Sequence, residues 1–239
     1  MERVFLLLGL NCAYGADQAG RLLIHHLKLA DDEKKNSFID RIRRKKKVRS
    51  LHLLWPQTVE AIRWALERRS TQKCDKDFLL LTDKNLPYWR QSKSGNRIGM
   101  IPNMWFRLLD RIRKDKKEFP RLPFNSLRDT SCSMIRDIAG AETASVHLAH
   151  KHQSKDENLG RYSNPVRRRH FKALRKLERN LADVFAAAGP TPFVRQRRNH
   201  IGLDRVRAIN RLHAEGVPIL EIGRRLGVSP GTVYRHLGK

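Results

Sequence analysis

The stretch Gly189-Pro190-Thr191-Pro192 interrupts any regular helix or strand that reaches it. Proline has no amide N–H to give and its ring clashes with the preceding turn, and a glycine ahead of it ends a helix at little cost. The chain therefore divides into a long segment, residues 1–187, a basic connector, 188–200, and a short terminal unit, 201–239, each needing its own core. With 239 residues and 40% hydrophobic content, there is material for one sizeable core and a small satellite.

The charge balance narrows the partners. Fifty Lys+Arg oppose 24 Asp+Glu, a formal net charge of +26. Such an excess repels itself unless a polyanion absorbs it. Nucleic acid suits it, because each phosphate neutralised by lysine or arginine releases a condensed counterion. An anionic membrane surface is the weaker alternative, since no segment reaches the ~18 apolar residues of a spanning helix. The apolar run in "MERVFLLLGLNC" reads as a core element and not as a signal peptide, having no clear small-residue cleavage site. Cys12, Cys74 and Cys132 lie far apart without a C-x-x-C, so neither a zinc ribbon nor a disulfide framework is indicated, and a reducing, cytoplasmic, nucleoid-associated setting fits.

The fold class expected is mainly α with a small β-hairpin or sheet (α+β). Residues 1–30 read as helical. "NSFIDRIRRKKKVRSLHLLWP" reads as two short strands about a basic turn, with a charged helix as the competing reading. "PQTVEAIRWALERR" predicts a helix opened by Pro56, with Val59, Ile62, Ala65 and Leu66 on one face. "NMWFRLLDRIRKD" predicts another. "PVRRRHFKALRKLERNLADVFAAAG" predicts one long helix with Phe171, Leu174, Leu177, Leu181 and Phe185 along its apolar side.

The terminal unit has the rhythm of a helix-turn-helix. Leu203, Val206, Ile209 and Leu212 line a first helix that Gly216 stops, and Ile219, Ile222 and Leu226 line a second. Gly227 supplies the turn, Ser229 an N-cap and Pro230 a first helical residue. Val233 and Leu237 bury the third helix, which leaves Gly231, Thr232, Arg235 and His236 facing outward, with Ser229, Thr232 and Arg235 the DNA-binding candidates. A three-helix bundle for protein contact is the bland alternative. The stretch resembles the C-terminal DNA-binding domain of resolvases and invertases. That resemblance implies a basic arm in the minor groove, here Arg195, Arg197 and Arg198. Gly223 departs from it, standing where a small helix former such as alanine is usual, and Pro230-Gly231 replaces polar residues that often read DNA.

Three histidines, His147, His150 and His152, fall within six residues. A metal reading is weak there, because no carboxylate or cysteine stands at ligand spacing beside them and only 147 and 150 share a helical face. Solvated histidines at a helix end are the plain alternative. A third reading uses more of the chain. "SLRDTSCSMIRDIAGAETASVHLAH…GRYSNP" resembles the catalytic core of tyrosine recombinases, the phage-type integrases. Leu127-Arg128-Asp129-Thr130 matches one family box, Leu148-Ala149-His150 a second, and Tyr162 stands twelve residues past His150. Leu10-Asn11-Cys12 and Leu54-Trp55-Pro56-Gln57-Thr58-Val59-Glu60-Ala61 are similar to stretches in divergent integrase-like chains.

The resemblance implies that Tyr162 attacks phosphorus and leaves a 3′-phosphotyrosine link. Arg128 and His150 would hold the charge on the phosphoryl oxygens. Lys45, with Lys46 as alternate, would protonate the leaving oxygen from a hairpin. A solvated or phosphate-binding turn is the competing reading of that lysine run. No metal or other cofactor is implied, because the bond energy stays in the protein–DNA ester. The implied partner is double-stranded DNA, with a homo-oligomer assembled on it. Two departures stand out. Asn125 replaces the leading histidine of the first box, and Gly15 or Ala16 falls where a first arginine is expected, with Arg21 the nearest, one to two turns late. The chain starts where such a catalytic domain starts, so the family's N-terminal core-binding domain is expected to be missing. The expected function is DNA cleavage and rejoining. The alternative is DNA binding alone on a decayed recombinase scaffold, and a basic RNA-binding protein is a third class resting on charge.

Overall fold

The computed structural model describes residues 1–32, 35–43, 47–68, 77–150, 165–188 and 203–237. The chain forms two compact units, 1–193 and 194–239. Both are mainly helical, and the first carries two small antiparallel sheets, so the expected α+β class is met.

In the first unit, α1 (Glu2–Cys12) lies at the centre, with Phe5 and Leu8 fully buried. It packs on α3 (Pro56–Glu67), α4 (Ile101–Asp115) and α5 (Ser126–His147). The opening segment is not helical throughout. A left-handed Ala13 (φ 49) ends α1, a short α2 (Ala16–Gly20) follows, and Leu27–Lys28 pairs as strand β1. The basic stretch resolves as strands: β2 (Phe38–Arg43) and β3 (Val48–Leu53) join β1 in the order β1-β2-β3. Alternation decides this over a helix, since Ile39 and Arg41 on β2 and Ser50 and His52 on β3 are buried while Ile42 and Arg49 face out. A second hairpin, β4 (Trp89–Gln91) and β5 (Arg97–Gly99), carries no alternation long enough to announce itself in the sequence.

Two sequence motifs meet in space. Asn11 is fully buried; its Nδ2 donates to Leu53 O at 3.0 Å and its Oδ1 accepts from the Trp55 amide at 2.9 Å. One side-chain amide thus pairs the end of β3 and the start of α3 with α1. The Trp55 indole, also fully buried, donates to Leu174 O at 2.9 Å on α6 (Pro165–Asn180). The long terminal helix of this unit is broken at Leu181, after which α7 (Ala182–Ala187) begins. Helix α5 is itself two segments joined at Gly140, whose φ 83, ψ 169 is a conformation essentially reserved for glycine.

The second unit packs α8 (Leu203–Ala214), α9 (Ile219–Leu226) and α10 (Pro230–His236) around Ile209, Leu212, Ile222 and Val233. Gly227 takes the left-handed turn (φ 63) between α9 and α10. Gly223 is accounted for by a close approach: a Cβ there would lie 2.9 Å from the Val228 carbonyl oxygen. Among the described residues no helix is long and apolar enough to cross a membrane.

Candidate nucleic-acid interface

Three arginines gather where α2, β2 and the two ends of α5 meet. Arg41 and Arg43 share the inner face of β2, two residues apart, opposite Ser50 and Val48 on β3. Arg128 lies in the first turns of α5. The break at Gly140 lets the second segment of α5 return, so that the Arg128 guanidinium reaches the Leu148 carbonyl oxygen at 3.2 Å. Arg43 donates to the same oxygen at 3.2 Å and to Ala149 O at 3.3 Å. Two guanidiniums therefore cap the C-terminal carbonyls of α5, where the helix dipole is negative.

Gln18 joins the third arginine to the group. Its side-chain oxygen accepts from Arg128 at 2.6 Å and its backbone oxygen from Arg41 at 2.8 Å; Arg128 also donates to Ala13 O at 2.8 Å. Arg41 is only 6% exposed, and its Nε is buried without a partner. Among the described residues none of the three guanidiniums forms an ion pair with a carboxylate. Burial lowers the pKa of Arg41 and of Arg128 from the ordinary arginine value, and the neighbouring Arg43 lowers each further. Of the three only Arg41 is buried outright, and holding a cation there without a direct carboxylate partner is costly. An arrangement of this kind is suited to receive an anion whose oxygens take up the unused N–H groups.

Gly15, where the resemblance leads one to expect an arginine, faces the side chain of Asn125. A Cβ on Gly15 would stand 2.7 Å from Asn125 Oδ1, and that oxygen accepts from the Ala16 amide at 3.4 Å. Arg21 turns elsewhere: it ion-pairs with Asp17 at 2.9 Å, and its guanidinium lies 3.1 Å from the centre of the Trp89 ring.

The sequence-derived residues are only partly brought together. Arg128 joins the cluster, and His150 follows it at the end of α5, half-buried, its amide bonded to Ser145 O at 3.0 Å. Ala149, just before His150, is left-handed (φ 50). Tyr162, Lys45, Lys46, His152, Arg195, Arg197 and Arg198 lie outside the described residues, as does the Arg235 side chain. Tyr14 and Tyr88 are core residues at 1% and 8% exposure, and burial pushes the Tyr88 phenol up to about 12, so neither is placed to attack a phosphate. Arg41 and Arg43 were not singled out as site residues in the sequence. Their signal was the period-2 pattern of "FIDRIR", which puts both beside Ile39 on the buried face.

In the second unit, Ser229 Oγ accepts from the Thr232 amide at 3.3 Å and bonds Thr232 Oγ1 at 2.8 Å. Both hydroxyls thus serve the N-cap of α10. Tyr234, 47% exposed on α10, is an outward aromatic that the sequence reading passed over, and Gly231 leaves the start of the helix open, with nothing within 4 Å of a Cβ placed there.

A helix-turn-helix domain model matches residues 197–239. No curated protein and no solved structure matches the chain. The family match covers the second unit and places a DNA-binding type of domain there; it carries nothing about residues 1–196.

Proposed function

We propose that the protein binds double-stranded DNA with both units, and that the first is an integrase-like strand-transfer centre. The observation that carries this reading is the arginine cluster: Arg41, Arg43 and Arg128 tied together through Gln18 and Leu148, with no carboxylate partner among the described residues. Its chemistry fits a phosphodiester. Arg128 takes the role the motif resemblance gives it, and Arg43 stands in for the arginine absent at Gly15. The Tyr162 phenolate oxygen attacks phosphorus, the P–O bond to the 5′ oxygen breaks, and the leaving oxygen takes a proton from the lysine turn at Lys45. His150 donates a hydrogen bond to a phosphoryl oxygen. The helix-turn-helix, with the basic residues Arg195, Arg197 and Arg198 before it, holds the duplex by groove and phosphate contacts.

A nicked suicide duplex tests the reading. The wild-type chain should be trapped as a covalent 3′-phosphotyrosyl adduct, and Tyr162→Phe should lose the adduct with DNA affinity nearly intact, since phosphate contacts dominate binding. Arg43→Ala and Arg128→Ala should each slow adduct formation by roughly 10²–10³-fold, the scale of losing a fixed donor to a charged transition state. An adduct that persists in Tyr162→Phe refutes the nucleophile. Tight binding with no adduct on the true target site leaves DNA binding alone, on a decayed scaffold.

A further inference from the structure

Three buried histidines from three elements face one another in the first unit. His52 on β3, His147 at the end of α5 and His170 on α6 are each 1% exposed. Their ring centroids form a nearly equilateral triangle, 5.2 Å for 52–147, 5.5 Å for 52–170 and 5.2 Å for 147–170. One ring nitrogen of each lies within 4.8 Å of the other two. The cluster plays no part in the proposed strand-transfer chemistry and does not depend on it.

The hydrogen bonds around the triangle fix the protons. Ser131 Oγ donates its one hydrogen to Leu10 O at 2.5 Å, so it accepts from His147 Nε2 at 2.8 Å. His147 Nδ1 is then a bare lone pair aimed at His170 Nε2, 3.0 Å away. His52 Nε2 lies 3.0 Å from the His147 carbonyl oxygen, and its Nδ1 is held by Ser50 Oγ at 3.2 Å. Five of the six ring nitrogens are accounted for in this way. The sixth, His170 Nδ1, is buried with no partner.

We propose that His52, His147 and His170 form a three-imidazole site for a divalent transition metal, zinc in the first place, which ties β3, α5 and α6 together. The donor set is nitrogen only, which suits zinc, cobalt, nickel or copper and disfavours calcium or magnesium. Ser131 Oγ holds the far nitrogen of His147 in the way that orients an imidazole towards a metal, and His52 ligates through Nε2 once its proton leaves the His147 carbonyl oxygen for Nδ1, where Ser50 Oγ accepts it. Zinc–nitrogen bonds of about 2.0–2.1 Å set tetrahedral ligand nitrogens roughly 3.4 Å apart. The 3.0 Å pair must open slightly and the third nitrogen must close in, both by side-chain rotation. Because the site is shut off from solvent, the metal enters as the unit folds and its role is structural.

The test uses the untagged full chain, unfolded, stripped with chelator and refolded with either chelator or one equivalent of Zn²⁺ or Co²⁺. The expected result is one tightly held metal per chain and the visible d–d absorption of cobalt(II) bound by imidazole nitrogens. X-ray absorption should show about three imidazole ligands, and the thermal midpoint should rise by about 5–10 °C at a hundredfold excess of free zinc over Kd. His170→Gln should lose the metal, while His25→Ala, in an exposed histidine outside the triangle, should keep it. The wild-type measurements decide the matter even where His170→Gln fails to fold. A refolded wild-type chain that takes up no metal and shows no zinc-dependent midpoint overturns the site, leaving a hydrogen-bonded imidazole network. Metal retained by a folded His170→Gln chain overturns it too.

Discussion

Gly223 shows how one residue can contradict a propensity argument and be right. Alanine in mid-helix is favoured over glycine by roughly 1 kcal/mol. Here the missing Cβ makes room for the Val228 carbonyl, whose residue also donates its amide to Gly223 O at 2.9 Å. The obstacle is backbone in the turn that sets α9 against α10, so it cannot move without opening the turn. Gly223→Ala should destabilise the second unit by about 1–3 kcal/mol, the range for forcing atoms into a packed site. Chemical denaturation of the full chain, followed by a probe in residues 203–237, measures it. A variant as stable as wild type would mean the turn relaxes freely and the close approach is not required.

Helix α5 is the element on which the arginine cluster turns. Its first segment carries Arg128 and its second ends beside Leu148 and Ala149, whose carbonyls receive Arg128 and Arg43. Only the reversal at Gly140 brings these together. No neighbouring atom lies within 4 Å of a Cβ built there, so the cost of a side chain is purely conformational. Gly140→Ala should destabilise the first unit by roughly 1–3 kcal/mol, the usual cost of holding a residue in a sparsely populated backbone region. It should also weaken DNA binding by loosening Arg128. Thermal unfolding and a binding titration on one preparation check both. Unchanged melting with unchanged affinity would mean α5 tolerates a different join.

For the molecule as a whole, charge governs the interaction with its target. The +26 excess and the arginine cluster both predict binding dominated by counterion release. If ~6–10 phosphates are contacted, affinity should fall roughly 10³–10⁵-fold between 50 and 200 mM salt. A fluorescence-anisotropy titration across that range measures the slope, and a flat response would remove the electrostatic premise. Repeating it with structured RNA at matched salt separates a duplex-DNA protein from a general polyanion binder.

Much of this was legible in the chain. Periodicity is a local property, so the apolar faces of α3 and α4 and the helices of the terminal unit followed from residue spacing, as did the caps at Pro56, Ser229 and Pro230. Alternation in "FIDRIR" and a basic turn favoured a hairpin for the same reason. The break of the last long helix at Leu181, the short β4–β5 hairpin and the reversal at Gly140 were not legible, because they depend on what each segment packs against. The motif around Arg128 and His150 could be read as a pattern. Its partners Arg41, Arg43 and Gln18 could not be assigned, because they approach from 85 to 110 residues away and their meeting is set by the fold. The histidine triangle is the extreme case. His147 drew notice beside His150 and His152, yet its observed companions, His52 and His170, come from a strand and a helix that only the closing of the core sets against α5. Local order is dictated by neighbours along the chain; which buried polar groups face one another is decided when the elements exclude water between them.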